Sequence, residues 1–295
     1  MSRPFYLCFV GTNMNSEQRL TQTTLSHELT VEILSQLGLK KKPKADLGGL
    51  EEIYSAWCHH VPFDNIQKLL HLKSQSPLPL PGDDPTDFFQ QWIKVGTGGT
   101  CWACSTALYS LLKTHGFKVY LGAATMLVAP NLPPNHGTII VDIEGKHFLV
   151  DSSMMHDSPL RLDTNATTIQ HQAWGLNGTL RDMKWQFHWR PLHMLSGCVC
   201  RLDEIDVSAQ YFRRCHEQTR VWGPFNYSVY TRINRSNCVT GLAYGYKIDI
   251  DSLGNIKRKP IDRTERNRFL IEEMGISDEL VANLPLDKPL PHPPE

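Results

Sequence analysis

The chain has no surplus charge of either sign: 30 lysines and arginines face 30 aspartates and glutamates. That balance excludes a global attraction to nucleic acid or to an anionic membrane, and Lys257-Arg258-Lys259 reads as a solvated strand end. An apolar stretch of the about 20 residues that a membrane-spanning helix needs is also missing. The apolar run Phe5 to Val10 follows a single Arg3, is short for a secretory signal and lacks a cleavage site. Regular cysteine spacing is absent as well. The eight cysteines do not form the framework of a small secreted protein, which points to a reduced, cytoplasmic setting. The sequons at Asn165, Asn177, Asn226 and Asn234 are then chance matches in turns. No cysteine or carboxylate spacing completes a metal site around His59 and His60, so no metal is expected. Internal repeats are lacking too.

What remains is a soluble globular composition, 41% hydrophobic over 295 residues, long enough for a large core shared by two or three sub-structures. Leu29, Val31, Ile33, Leu34 and Leu37 predict one helix ending at Gly38. Leu47, Leu50, Ile53, Tyr54 and Trp57 predict a second, capped by Asp46 and stopping before Pro62. A proline-rich loop over residues 74 to 86 precedes a helix with Phe88, Phe89 and Trp92. Beyond Phe117 the pattern turns to strands, with Tyr227 to Asn234 and Val239 to Ile250 as two late ones. Asp262 or Thr264 then caps a helix through Met274, and Ser277 to Leu284 forms a last short one.

At the change from helix to strand stands Gly98-Gly99-Thr100-Cys101-Trp102. Two glycines permit a sharp turn and a close backbone approach, Thr100 is suited to cap a helix, and Cys101 falls on its first turn. Unpaired N–H groups and the helix dipole favour a thiolate there. A nucleophilic cysteine needs a base.

The hairpin Thr138 to Ile143 and Lys146 to Asp151 supplies one. With Glu144-Gly145 as the turn, Asp151 stands opposite Thr138, and His136 lies diagonally from Asp151 on the same face, about 7 to 8 Å away. Ile139, Val141, Phe148 and Val150 occupy the other face. His147 and Asp142, opposite each other near the turn, form a competing acid/base pair. The position of Asn135-His136-Gly137 at the strand mouth favours His136 with Asp151.

Gly98-Gly99-Thr100-Cys101, Asn135-His136-Gly137 and Val150-Asp151-Ser152 resemble, in order and spacing, the motifs of the arylamine N-acetyltransferase family. His60-Val61-Pro62-Phe63-Asp64-Asn65-Ile66 is similar to that family's Pro-Phe-Glu-Asn-Leu segment, and the likeness covers most of the chain. It implies an α+β fold: an N-terminal helical bundle (1–116) carrying the nucleophile, a central antiparallel β-barrel (117–215) carrying histidine and aspartate, and a C-terminal α/β lid (216–295). It also implies a triad of Cys101, His136 and Asp151 like that of transglutaminases and papain-like enzymes. Phe63, Gly98, Gly99, Thr100, Trp102, Ser153, Met154 and Met155 take substrate- or cofactor-binding positions. The chain departs from the family at Thr97, where arginine is usual, and at Ser153-Met154-Met155, where a glycine-rich stretch is usual.

The activity so implied is ping-pong transfer of an acetyl or other acyl group from acyl-CoA to an arylamine or hydrazine, as in xenobiotic metabolism, with no metal. A carrier-bound thioester, delivered by an acyl carrier protein for amide or ester synthesis, is the alternative donor. Two further alternatives are a non-catalytic binding module and a zinc or thiol redox protein built on Cys101 and Cys104.

Overall fold

The computed structural model describes residues 24–129 and 131–291. The run Phe5 to Val10 lies outside the described residues. Helices come first: α1 (His27–Gln36), α2 (Leu47–His60), a two-residue strand β1 (Phe63–Asp64), α3 (Ile66–Lys73), α4 (Pro85–Val95) and α5 (Cys101–Thr114). Strands follow: β2 (Lys118–Met126), β3 (His136–Ile143), β4 (Lys146–Leu149), β5 (Leu160–Arg161), β6 (Ala166–Ile169), β7 (Leu176–Arg181), β8 (Lys184–Trp189) and β9 (Cys198–Ile205). Then come α6 (Ala209–Gln218), β10 (Tyr230–Arg235), β11 (Cys238–Ala243), β12 (Tyr246–Ile250), β13 (Ile256–Pro260), α7 (Arg263–Arg268) and α8 (Asp278–Ala282).

Two antiparallel sheets organise these elements. The larger runs β5-β4-β3-β2-β9-β8-β7-β6, and its edge strands β5 and β6 approach each other, so the sheet is a nearly closed barrel. Ile140, Leu149, Met154, Leu176, Trp185, Phe187 and Cys200 fill its interior. The smaller sheet runs β1-β10-β11-β12-β13, so a strand from the helical part of the chain joins the C-terminal sheet. Between helices and sheets lies the main core, with Ile53, Trp57, Phe89, Leu108, Leu111, Val141 and Leu270.

Several local expectations need correction. Val31 is 52% exposed and Leu47 is exposed as well. Val31 sits two residues from both Leu29 and Ile33, hence about 200° around the helix from each, and cannot share their face. Val239 to Ile250 is two strands, not one, because Tyr244 and Gly245 both take positive φ (48° and 82°) and turn the chain back. Asp262 is the cap that forms, accepting from Glu265 N at 2.8 Å. Its helix relaxes to π-type winding over Phe269–Glu273. Helices α3 and α6 were not anticipated. In α6 only Phe212, Cys215 and His216 are buried among arginine and glutamine, which leaves a faint apolar stripe.

Candidate active site

Loop 96–100 delivers Cys101 to the start of α5, and close contacts fix that loop. A side chain at Gly98 would put its Cβ 1.8 Å from the Pro62 carbonyl oxygen, and one at Gly99 would meet Ala103 Cβ at 2.9 Å. These approaches let Asp64 N donate to Gly99 O at 3.0 Å. Gly98 N in turn donates to Asp64 Oδ2 at 2.6 Å, and Ile66 N to Asp64 Oδ1 at 2.9 Å. Burial pushes the Asp64 carboxyl up to about 7, against the pull of those two N–H donors. Thr97 is fully buried and accepts from Gln67 Nε2 at 3.2 Å.

Thr100 occupies the N-cap position, yet its side chain makes no cap hydrogen bond. The first-turn N–H groups beside Cys101 therefore stay available, since such donors have no intrahelical partner. Cys101 is 7% exposed. One turn along the same helix face, Ser105 donates to Gly137 O at 2.9 Å and shares a 2.9 Å hydrogen bond with Ser152. That seam brings the start of α5 against the ends of the hairpin.

The hairpin has the anticipated register: Ile140 pairs Leu149, Asp142 pairs His147, and Glu144 and Gly145 both take positive φ (53° and 78°). His136 Nε2 consequently lies 2.7 Å from Asp151 Oδ2. The face carrying them is not a polar surface. Ile140 and Leu149 on it line the barrel interior, so both faces of the hairpin are buried and so are His136 and Asp151. Burial opposes charge on His136, but the Asp151 carboxylate, its hydrogen bond and a hydrogen bond with Cys101 raise it to about 10. Burial likewise favours neutral Asp151, yet His136 and backbone donors hold its carboxyl well below the usual range.

Asp151 is held on every side. Its Oδ1 accepts from Ser153 N at 2.9 Å and Met154 N at 2.8 Å. The Tyr54 hydroxyl donates to Asp151 O at 2.8 Å and accepts from the N–H groups of Asp151 and His156 at 3.2 Å each. From β10, Arg232 Nη2 donates to Met154 O at 3.1 Å and Asn234 Nδ2 to Met155 O at 2.8 Å. Met155 takes φ 52°, left-handed backbone that costs glycine nothing. Tyr54, His156, Arg232 and Asn234 escaped sequence reasoning, because their elements join the site only in three dimensions.

The other expected contacts are placed as follows. Phe63 packs edge-on against Phe225 and Tyr230, and Trp102 against Phe212 at 4.6 Å between centroids. Met154 fills the barrel interior and Met155 the main core, while Ser153 is buried with its hydroxyl unpartnered among the described residues. Asp142 bonds Lys118 Nζ at 2.7 Å at the turn end of the hairpin, away from Cys101. His59 pairs with Asp157 at 3.0 Å, whereas His60 bonds Ala56 O. Cys104 donates to Gly99 O, and no group of three potential metal ligands occurs among the described residues. No helix among the described residues is long and apolar enough to cross a membrane.

A buried cysteine at a helix start, a histidine facing it and a carboxylate behind the histidine can together carry acyl transfer through sulfur. Comparisons with known proteins point the same way. Residues 46–188 match a family model described as N-acetyltransferase. An arylamine N-acetyltransferase of Mycolicibacterium smegmatis is 24% identical over 193 residues, 60% of this chain and 68% of that one. Among solved structures, the Mycobacterium marinum arylamine N-acetyltransferase in complex with CoA superposes with a TM-score of 0.74 at 15% identity, covering 86% of this chain and 97% of that one. The enzyme from Mycobacterium abscessus gives 0.72 at 14% identity, covering 88% and 93%.

Proposed function

We propose that this chain, which belongs to the arylamine N-acetyltransferase family of acyltransferase enzymes, moves an acyl group from coenzyme A to an aromatic amine or hydrazine through an acyl-Cys101 intermediate. The observation that carries the proposal is the linked set Cys101, His136 and Asp151, in which His136 bonds Asp151 through Nε2 and also shares a hydrogen bond with Cys101. CoA bound to the M. marinum relative supports a CoA thioester as donor in preference to a carrier protein.

His136 takes the proton of the Cys101 thiol. In the first half-reaction the sulfur attacks the thioester carbonyl, the carbon–sulfur bond to CoA breaks, and the departing CoA sulfur takes the proton from His136. Exchange of one thioester for another is nearly balanced in energy. In the second half-reaction the amine attacks the acyl-cysteine, its proton passes to His136, and Cys101 leaves as the sulfur anion. Formation of the amide drives this half forward. Asp151 fixes the imidazole tautomer and stabilises its cation, as the carboxylate does in a Ser-His-Asp triad. The uncapped first-turn N–H groups of α5 are the donors for the carbonyl oxygen as it becomes negative. We further propose the division into a helical part to residue 116, a barrel part to 215 and a C-terminal lid, and a cytoplasmic location.

Mixing the wild type with acetyl-CoA in the absence of amine tests the reading. One acetyl group should appear on the protein, be absent in Cys101→Ala, and be discharged by an arylamine.

A further inference from the structure

One strand of the C-terminal sheet touches both halves of the site. Through its backbone, β10 pairs with β1, Phe63 against Arg232 and Asp64 against Thr231. β1 in turn bridges Gly99, with Asp64 N donating to Gly99 O at 3.0 Å, so the loop that delivers Cys101 hangs on β10 through one intervening strand. Through alternate side chains, Arg232 and Asn234, the same strand holds the turn that follows Asp151. The carboxylate behind His136 and the loop before Cys101 thus share one support.

That turn needs its support. It is closed by Met155 N donating to Asp151 O at 3.1 Å, and Met155 takes φ 52°, backbone that a residue with a Cβ holds only when its surroundings impose it. Two successive peptide units of the turn are each gripped at both ends. Met154 O accepts from Arg232 Nη2, while the N–H of that peptide, on Met155, bonds Asp151 O. Met155 O accepts from Asn234 Nδ2, while the N–H of that peptide, on His156, bonds the Tyr54 hydroxyl. The turn so fixed aims Ser153 N and Met154 N at Asp151 Oδ1.

Arg232 is a costly residue to bury there. It is 2% exposed, and among the described residues its guanidinium bonds only main-chain carbonyls, Met154 O at 3.1 Å and, through Nη1, Arg190 O at 2.9 Å. Its central carbon lies 5.4 Å from the centre of the Trp189 ring. A buried cation without a paired carboxylate is expensive. What the guanidinium supplies in return is a rigid fork that spans two carbonyls from separate segments, which a lysine ammonium cannot reproduce.

We infer that Arg232, with Asn234 two residues on along the same face of β10, is a positioning residue that holds the Asp151 turn in its strained form and so keeps the His136–Asp151 pair in register with Cys101. The inference rests on the acyl-cysteine reading.

The wild type, Arg232→Met and Arg232→Lys are compared by single-turnover acetylation of Cys101 with acetyl-CoA, by amide hydrogen exchange, and by titration of the His136 ring followed by NMR. In Arg232→Met the acetylation rate constant should fall by about 10- to 100-fold, the range of a small misplacement of reacting groups, with the acetyl-CoA concentration for half-maximal rate unchanged. Ser153 N–H and Met154 N–H should exchange faster, while Asp64 N–H, which bonds main chain in the other loop, stays protected. His136 should titrate below its wild-type value of about 10. Arg232→Lys, which keeps the charge and can reach one of the two carbonyls, should recover part of the rate. A merely structural role would weaken protection at all of these amides together and leave the His136 titration of the folded protein in place. That result, or a wild-type rate in Arg232→Met, overturns the inference. If Arg232→Met does not fold, Asn234→Ser, which frees only the Met155 carbonyl, decides on the same readouts. A wild type that loads Cys101 beside an unimpaired variant removes the inference alone, whereas a wild type that acetyl-CoA does not load at Cys101 removes the acyl-cysteine reading and the inference with it.

Discussion

His136 Nε2 and Asp151 Oδ2 are 2.7 Å apart inside the protein, and the turn at Glu144-Gly145 is what brings them together. A slip of one residue in that hairpin would send the two side chains to opposite faces. Register, burial and proton chemistry are thus one feature. Asp151→Asn removes the charge that holds the His136 proton and leaves its geometry nearly intact. Acyl transfer should fall by about 10³- to 10⁴-fold, as expected when a triad histidine loses its orienting carboxylate. The His136 resonance should titrate nearer the ordinary histidine range; an unchanged titration would contradict the assignment.

Tyr54 is a positioning residue for Asp151. Its hydroxyl closes three backbone hydrogen bonds around the carboxylate, and Tyr54→Phe strands the buried His156 N–H and leaves the Asp151 N–H only its 3.4 Å hydrogen bond to His156 Nε2. Stability should drop by about 1–3 kcal/mol. The acylation rate should fall while the KM for the donor holds. A denaturant midpoint together with single-turnover kinetics checks both, and a stability loss without a rate change would make Tyr54 purely structural.

The pH dependence has two opposed parts. His136 is raised to about 10, so the stability from its pairing is complete below the ordinary histidine value, about 6.5, and is lost as pH rises through about 10. Asp151 is depressed, so its contribution is present above the ordinary carboxylate range and is lost as pH falls beneath it. Asp64 has the reverse sign. Raised to about 7, it is most favourable when protonated, and its contribution fades as pH climbs from about 4 through 7. The stability of the wild type minus that of Asp64→Asn should therefore decline across that window in thermal melts. A flat difference would show that Asp64 keeps an ordinary carboxyl.

Much of this site was legible in the sequence, and the reasons are local. A two-residue turn fixes a hairpin register by itself, so the relation of His136 to Asp151 follows from positions alone. Gly98-Gly99-Thr100-Cys101 declares a sharp loop before a helix. What escaped depends on distant segments. Tyr54, in the α2 stripe, is indistinguishable there from a packing aromatic. Arg232 and Asn234 alternate along β10 with nothing to mark them. The burial of the hairpin's second face was hidden too, because His136, Thr138 and Asp151 suggest a wet surface until the barrel closes over them.

Gly98→Ala tests the loop. The new Cβ would collide with the Pro62 carbonyl oxygen, and backbone on that scale cannot give way without moving the start of α5. The variant should lose acylation far out of proportion to its loss of stability. Gly145→Ala, whose Cβ meets nothing within 4 Å, pays only for its positive φ, leaves the site in place and serves as the comparison. Equal activity losses in the two variants would argue against a rigid loop.

The central claim is that the transferred acyl group rests on Cys101. Rapid quenching of the wild type with acetyl-CoA in the absence of amine, followed by peptide mapping, measures this directly. The account predicts one acetyl group, on Cys101 alone, released as acetylated product when an arylamine is added. An unmodified protein, or an acetyl group carried by another cysteine such as the less buried Cys238, would contradict it.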